Sequence, residues 1–381
     1  MVSPLGADLP ETLASLRAGK DCVAPMRGFS TERTRCRTAA QIPDAFLEGR
    51  NVSRHALHRV SHMLIGAADE LRQTDPGFQP EIAIVGTTSG GMSFGEKFFR
   101  ALKPRLTAEI PRWVANYPPQ KQIADALARH GWEIPAQIIA NACASGSNAL
   151  GHAFEVIRAG RYQCVLAGGY DAISELVFVG FDSLQAATPD RCRPFDSARS
   201  GMVLGEGAAL FALEEFESAR ARDAEILGEL VGYGISTDNH HLTQPNPDGS
   251  GPRAAMERAL TSAGLTADRI GYINAHGTAT IFNDAAEGKA IAEIFGDNVP
   301  VSSTKGMMGH SLGAAGAIEA AITLLALRHD FLPPNINLRS IDPALSLNIV
   351  ANEARTAMID YALSNSFGFG GTNASIVLRK V

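Results

Sequence analysis

IIANACASGSNALGHAFEVI, residues 138–157, and VSSTKGMMGHSLGAAGAIEAAI, residues 301–322, follow one plan: an apolar run, a loop of small residues, then an amphipathic run. In the first, Leu150, Phe154 and Ile157 recur at spacings of four and three; in the second, Ile318, Ile322 and Leu325 do the same. That spacing predicts helices with one core stripe, and the short apolar runs before them read as buried strands. Cys143 and His310 each stand three residues before a glycine. The two units therefore look like copies of one strand, loop and helix, with Cys143 and His310 at matching points.

Working outward, EIAIVGTTSGG (81–91), YQCVLAGGYD (162–171) and GYINAHGTAT (271–280) are further apolar runs that end in small or polar residues. Strands alternating with helices imply an α/β fold with mostly parallel sheets. The polar helix EEFESARARDAE is the natural divide, giving halves at 1–222 and 223–381. The 37 glycines, with pairs at 90–91, 168–169 and 370–371, follow no collagen-like period, which suits a turn-rich α/β chain.

Composition narrows the function classes. The chain has 381 residues, 45% of them hydrophobic and 19% charged, enough for a sizeable core. Five cysteines, Cys22, Cys36, Cys143, Cys164 and Cys192, form no C-x-x-C pair, so neither a zinc ribbon nor a secreted disulfide framework is indicated. A reducing compartment fits. MVSPLGADLPETL is no signal peptide, and no run of about 18 apolar residues could span a bilayer, so the expectation is a cytoplasmic protein without membrane contact. A net charge of -6 argues against general nucleic-acid binding.

Three residues carry candidate chemistry. Cys143 stands where a strand hands over to a helix, so a helix dipole would favour its thiolate. Taken alone it reads equally well as a small buried hydrophobe. His276 in NAHGTAT and His310 in GHSLG each follow an apolar run and have small neighbours, which leaves an imidazole free to face a cleft. Together they suggest a Cys-His-His site. GHSLG also matches the G-x-S-x-G elbow of serine hydrolases, but the one histidine after Ser311 is His329, near the end of the same helix, so no triad in Ser, acid, His order can be built. Ser311 then reads as a helix-start residue.

NACASGSNALG, NAHGTATIFNDAAE, SSTKGMMGHSLGAAG and NSFGFGGTNAS, in that order and over the whole chain, resemble the signature segments of the β-ketoacyl-acyl-carrier-protein synthases, closest to the elongating type II class. The resemblance implies the thiolase-like fold, a five-layered αβαβα sandwich of two pseudo-symmetric halves that usually dimerises. It implies decarboxylative Claisen condensation: Cys143 accepts an acyl chain from a carrier protein, and malonyl on a second carrier loses CO2 and attacks it, in fatty-acid or polyketide and polyene elongation. No cofactor of the protein's own and no metal is expected, the acyl groups arriving on the carrier's phosphopantetheine arm.

The same resemblance makes His276 and His310 the donors to the enolate, and the Cys143 and Phe369 N–H groups the donors to the tetrahedral oxyanion. Lys305 and Glu287 match a buried pair, Thr278 and Thr280 the pantetheine-binding hydroxyls, and Phe369 a gate beside Phe367. Ser89 and Met202 stand where relatives carry a branched apolar residue and a phenylalanine, which implies an altered acyl preference, for longer, unsaturated or aryl-capped chains. Arg54 and Arg59, in NVSRHALHRVSH, fall where the family docks its acidic carrier. The pair His58 and His62 has no third ligand for a metal.

One departure concerns the start. Relatives open with an apolar strand before the segment like MVSPLG, so the N-terminal sheet is expected to lack one strand. Thiolases are set aside because they use a second cysteine in the C-terminal half, and none lies beyond Cys192. The alternative is a non-catalytic or heterodimer-dependent subunit of the chain-length-factor kind. Such subunits lack the nucleophile, whereas Cys143, His276 and His310 are all present.

Overall fold

The structure, a computed structural model, describes residues 1–47, 57–101 and 110–381, with side chains described from residue 113 in the last stretch. One sheet holds β1 (Ile82–Gly86), β2 (Ala136–Ile139), β3 (Cys164–Asp171) and β4 (Gly207–Glu214) in the order β2-β1-β3-β4, with β4 antiparallel to β3. A second holds β5 (Glu229–Thr237), β6 (Tyr272–Asn274), β7 (Pro300–Ser302), β8 (Asn348–Ile349), β9 (Tyr361–Gly368) and β10 (Thr372–Arg379) in the order β8-β7-β6-β9-β10-β5. Here β10 is the antiparallel neighbour of β9. The series β2-β1-β3-β4 and β7-β6-β9-β10 are thus built alike, which is the internal duplication made visible.

The helices of the described residues include α1 (Arg59–Thr74), α2 (Pro119–His130), α3 (Ser145–Arg158), α4 (Glu175–Ser183), α5 (Ser250–Ala263), α6 (Ile281–Phe295) and α7 (Ala315–Arg328). Helices α1 and α2 cover the outer face of the first sheet, and α5 with α6 lie outside the second. Between the sheets run α3 and α7, giving the five layers of a thiolase-like α/β sandwich. Helix α7 departs from the expected single stripe. It is buried on nearly every side because both faces meet sheets or helices, and AGAIEAAITLLALR carries only Glu319 and the terminal Arg328 as charges.

The two central helices cross at glycine. A Cβ on Gly146 would sit 2.7 Å from the Ala317 N, and one on Gly316 would sit 2.3 Å from Ser147 Oγ. The contact is reciprocal, Gly146 matching Gly316 and Ser147 matching Ala317. Each helix is preceded by a 3₁₀ turn, Ala142–Ala144 and Leu312–Ala314, whose first residue is left-handed at φ +56° in both cases. This corrects the equivalence drawn from glycine spacing. Ala142 matches Leu312, so the partner of Cys143 in the other half is Gly313, and His310 lies three residues earlier.

The first sheet has four strands among the described residues. At the place where β5 lines β10 throughout its length, the edge of β4 carries only a bridge from Val2 to Ala208, with N···O distances of 2.8 and 2.9 Å. The sheet holds because β1 is buried throughout and β3 from Val165 to Asp171, as IAIVG and CVLAGGYD would dictate. Among the described residues no helix is long and apolar enough to cross a membrane.

The crossing makes a stability prediction with two signs. Gly146→Ala should cost about 1–3 kcal/mol in denaturant unfolding, because the added methyl meets backbone. Gly180→Ala, inside α4 with nothing near its added carbon, should be neutral or stabilise by up to about 1 kcal/mol.

Candidate active site

Strand β2 runs out at Ile139, and the chain turns through Asn141 and the left-handed Ala142 before α3 begins. A left-handed alanine is held only if its surroundings insist on it. Here Ser145 Oγ donates to the Ala142 carbonyl at 2.6 Å and accepts from Asn141 N at 3.0 Å, while Thr372 Oγ1 donates to the Asn141 carbonyl at 3.2 Å. Cys143 rides on this turn at the mouth of α3, with the Phe369 N–H close enough to favour its thiolate.

His276 follows β6, and His310 follows β7 and the single turn Lys305–Met308. The two rings meet edge to face with centroids 5.3 Å apart, and Phe367 lies 5.8 Å from His276. All three join Cys143 in one cleft, whose wall also includes Thr278, Thr280, Met202, Gly368 and Phe369. His276 Nδ1 and both His310 ring nitrogens are buried without a partner among the described residues. Buried polar atoms are ordinarily paired, so three orphaned imidazole nitrogens beside a thiol mark a place built for a substrate.

Burial lowers both imidazoles well below the usual histidine range, and the Lys305 ammonium adds to it. Both rings are neutral at physiological pH. Burial also pushes the Cys143 thiol up to about 12, with Lys305 opposing. The helix dipole therefore loses to desolvation: a terminus is worth about 0.3–1 kcal/mol at a surface, whereas full burial moves a pKa by up to about 3–5 units.

Lys305 has a different partner from the one expected. Its Nζ pairs with Glu319 on α7, both side chains fully buried, and burial holds the Glu319 carboxyl up at about 7 with Lys305 opposing. Glu287 instead accepts from the His276 and Gly277 N–H groups at 2.8 Å each and from Asn365 Nδ2 at 3.1 Å. It fixes the histidine's backbone. Glu319 was legible as the one charge inside an otherwise apolar helix, since a buried carboxylate needs a cation.

Thr278 and Thr280 lie at the cleft with hydroxyls 2.9 Å apart. Phe369 packs against Phe181 with tilted rings 5.5 Å apart, followed by left-handed Gly370 and Gly371 at φ +86° and +77°. Those two glycines suit a loop that must bend sharply over the thiol. Met202 lines the cleft, but Ser89 does not belong to its wall: it is buried, and its Oγ donates to Asp171 at 2.7 Å. Ser311 precedes the Leu312–Ala314 turn, its Oγ buried and without a partner among the described residues.

Of the two docking arginines, Arg54 lies outside the described residues. Arg59 is turned inward: its Nε and Nη2 donate to the fully buried Glu206 at 3.0 and 2.7 Å, and Nη1 reaches Asp44 at 2.7 Å. A buried carboxylate claims a guanidinium more strongly than solvent does. His58 caps α1 through Nδ1, which accepts from Val60 N at 3.1 Å, leaving Nε2 against Ser93 Oγ at 2.7 Å.

Comparison with known proteins gives one answer. Residues 1–219 match the family model described as Beta-ketoacyl synthase, N-terminal domain, and residues 227–339 match Beta-ketoacyl synthase, C-terminal domain. A 3-oxoacyl-[acyl-carrier-protein] synthase 2 from Coxiella burnetii is 37% identical over 100% of this chain and 97% of its own, and one from Synechocystis sp. is 36% identical over 100% and 96%. Among solved structures, the ishigamide ketosynthase/chain length factor matches with TM-score 0.92 and 33% identity over 100% of this chain and 97% of the other. The ketosynthase complex AntDE:AntF, with its type II acyl-carrier protein, matches at 0.90 with 27% identity over the same shares.

The thiol's environment sets a pH dependence. Alkylation of Cys143 by iodoacetamide should rise by nearly tenfold per pH unit from about pH 7 to about pH 9 without levelling; a plateau at neutral pH would show a preformed thiolate.

Proposed function

The chain belongs to the β-ketoacyl synthase family, and we propose that it is a condensing acyltransferase of the 3-oxoacyl-[acyl-carrier-protein] synthase class with Cys143 as nucleophile. The observation that carries this reading is the convergence of the thiol with the unpartnered nitrogens of His276 and His310 in one cleft.

In the first half-reaction the Cys143 sulfur attacks the carbonyl carbon of a carrier-bound thioester. The N–H groups of Cys143 and Phe369 hold the oxyanion, the carrier's sulfur leaves, and the cysteine's proton ends on that departing thiol. A malonyl thioester then enters along the wall of Thr278 and Thr280. Its C–C bond to the carboxylate breaks, CO2 leaves, and the electron pair becomes an enolate whose oxygen lies between His276 and His310. Two neutral N–H donors suit this step: they stabilise charge that exists only after CO2 is lost, and they make no salt bridge with the intact carboxylate. The enolate carbon attacks the acyl-cysteine carbonyl, the same two N–H groups hold the second oxyanion, and the C–S bond to Cys143 breaks to release the β-ketoacyl product.

The same three residues favour a catalytic subunit over a chain-length-factor-like one. The open edge of β2 supports pairing with a second copy or a related subunit: Ala136 and Gln137 are exposed, Ile138 and Ile139 half-buried, and the strand leads directly to the nucleophile. Met202 is one methylene-rich, adaptable wall of the acyl path, in line with an altered chain preference. The cytoplasm is the compartment that suits carrier-borne substrates.

For the acidic carrier, the basic surface is the loop between the paired segments Ala24–Pro25 and Thr38–Ala39. Arg27, Arg33 and Arg37 are exposed there and have no ion-pair partner among the described residues, Glu32 being the one acid between residues 27 and 37. The loop is tied to the mouth of the cleft. Arg35 Nη2 donates to the Asp182 and Ala187 carbonyls at 3.3 Å each, and the intervening Leu184, Gln185 and Ala186 line the cleft.

Two experiments test the reading. Intact-mass analysis after incubation with acyl carriers should show an acyl adduct on the wild type and none on Cys143→Ala; absence of the wild-type adduct overturns the assignment. Reversing Arg27, Arg33 and Arg37 to Glu should raise the KM for carrier substrates about tenfold or more at low salt and leave kcat nearly intact, the effect fading as salt rises. An unchanged KM removes the loop as the docking surface.

A further inference from the structure

Asp171 is one of the fully buried ionisable groups that the mechanism leaves unused. Asp171 ends β3, is 0% exposed, and makes no ion pair among the described residues. Its carboxylate instead collects five hydrogen bonds. Oδ1 accepts from Thr87 Oγ1 at 2.8 Å, Ser89 N at 2.8 Å and Ser89 Oγ at 2.7 Å. Oδ2 accepts from Thr88 N at 2.8 Å and from Gly313 N at 2.7 Å.

These donors belong to both halves of the sandwich. Thr87, Thr88 and Ser89 form the loop after β1, and Thr88 Oγ1 in turn donates to the carbonyl of the left-handed Ala142 at 3.2 Å, one residue before the nucleophile. Gly313 sits in the turn that follows His310 and opens α7. A side chain at 313 would enter this space, its Cβ 2.5 Å from Thr88 N and 2.7 Å from Asp171 Oδ2. One carboxylate therefore ties the turn that carries Cys143 to the turn that carries His310.

We propose that Asp171 is a positioning residue for the condensation, locking the two catalytic turns in register through Thr88 on one side and Gly313 on the other. This rests on the reading of Cys143 as the nucleophile. An amide cannot substitute. With its NH2 at the Oδ2 position it would face two backbone N–H groups, and at the Oδ1 position it would face the Ser89 N–H; in either orientation a buried donor is left against a donor. The carboxylate's charge also has a cost at the thiol. After burial itself, Asp171 is among the groups that hold Cys143 up, while Lys305 opposes. A group that makes the nucleophile harder to ionise yet sits beside it is there for geometry.

The test uses the full chain and two pairs of variants. Thr88 is exposed, so Thr88→Val and Thr88→Ser leave the core untouched. Loss of the hydroxyl in Thr88→Val should slow single-turnover acylation of Cys143 by about three- to tenfold with carrier affinity within about twofold, and Thr88→Ser should restore it. Asp171→Asn should cut acylation further and at the same time move the iodoacetamide pH profile of Cys143 to lower pH, two changes of opposite sense that simple loss of folded protein does not produce.

Wild-type acylation rates in Thr88→Val, or equal losses in the valine and serine variants, overturn the proposal. So does an Asp171→Asn protein that acylates normally. Should Asp171→Asn fail to fold, the Thr88 pair decides alone. Failure of the underlying reading is distinguishable, because it appears as the absence of any adduct on wild-type Cys143.

Discussion

The distance between the two central helices governs everything else. Gly146 and Gly316 let α3 and α7 approach until backbone meets backbone, and each glycine packs on the residue that follows the other. Side chains at those points would push the halves apart, and every atom of the active site lies across that seam. Cys143 comes from the turn before α3, His310 from the segment before α7, and His276 and Phe367 from the second sheet. A helix pair held by ordinary leucine packing keeps its axes about 8–10 Å apart with room to rock. Glycine contact removes that freedom, which is what a three-residue site spanning two halves requires.

Around the seam the protein keeps charges in a fully buried interior. Lys305 and Glu319 neutralise each other, Glu287 is satisfied by two backbone N–H groups and Asn365, and Asp171 is satisfied by five neutral donors. Each charge thus has its own means of compensation, and none is spent on the histidines. The imidazoles stay neutral because the burial is complete and the Lys305 ammonium disfavours a second positive charge beside it. On the proposed reaction, an imidazolium would grip the incoming malonyl carboxylate, whereas a neutral ring waits for the enolate.

Much of this was readable in the chain. Alternating apolar runs and helical stripes gave the α/β class, and four ordered motifs carried the family and the Cys-His-His set. The failures have physical reasons. Register between the halves was drawn from glycines, but the residue that defines it is a left-handed position occupied by Ala142 and Leu312, which no propensity marks. The partner of Lys305 was misassigned because Glu287 and Glu319 are both buried, and spacing along a helix does not say which sheet it faces. Arg59 looked like surface charge on a helix. Its fate was decided by Glu206, almost 150 residues away in the chain.

The duplication gives the proposed oxyanion site a second meaning. Strands β3 and β9 hold matching places in the two sheets and end at Asp171 and Gly368. At the first, a carboxylate lies permanently against the Gly313 N–H. At the second, glycine takes the aspartate's place, and a Cβ there would stand 3.1 Å from the Cys143 N. The two halves thus carry matching turns, one filled by the protein's own carboxylate and the other faced by a glycine that brings no side chain. On the proposed reaction, the transient oxyanion borrows a berth whose permanent tenant in the twin half shows what it was shaped to hold.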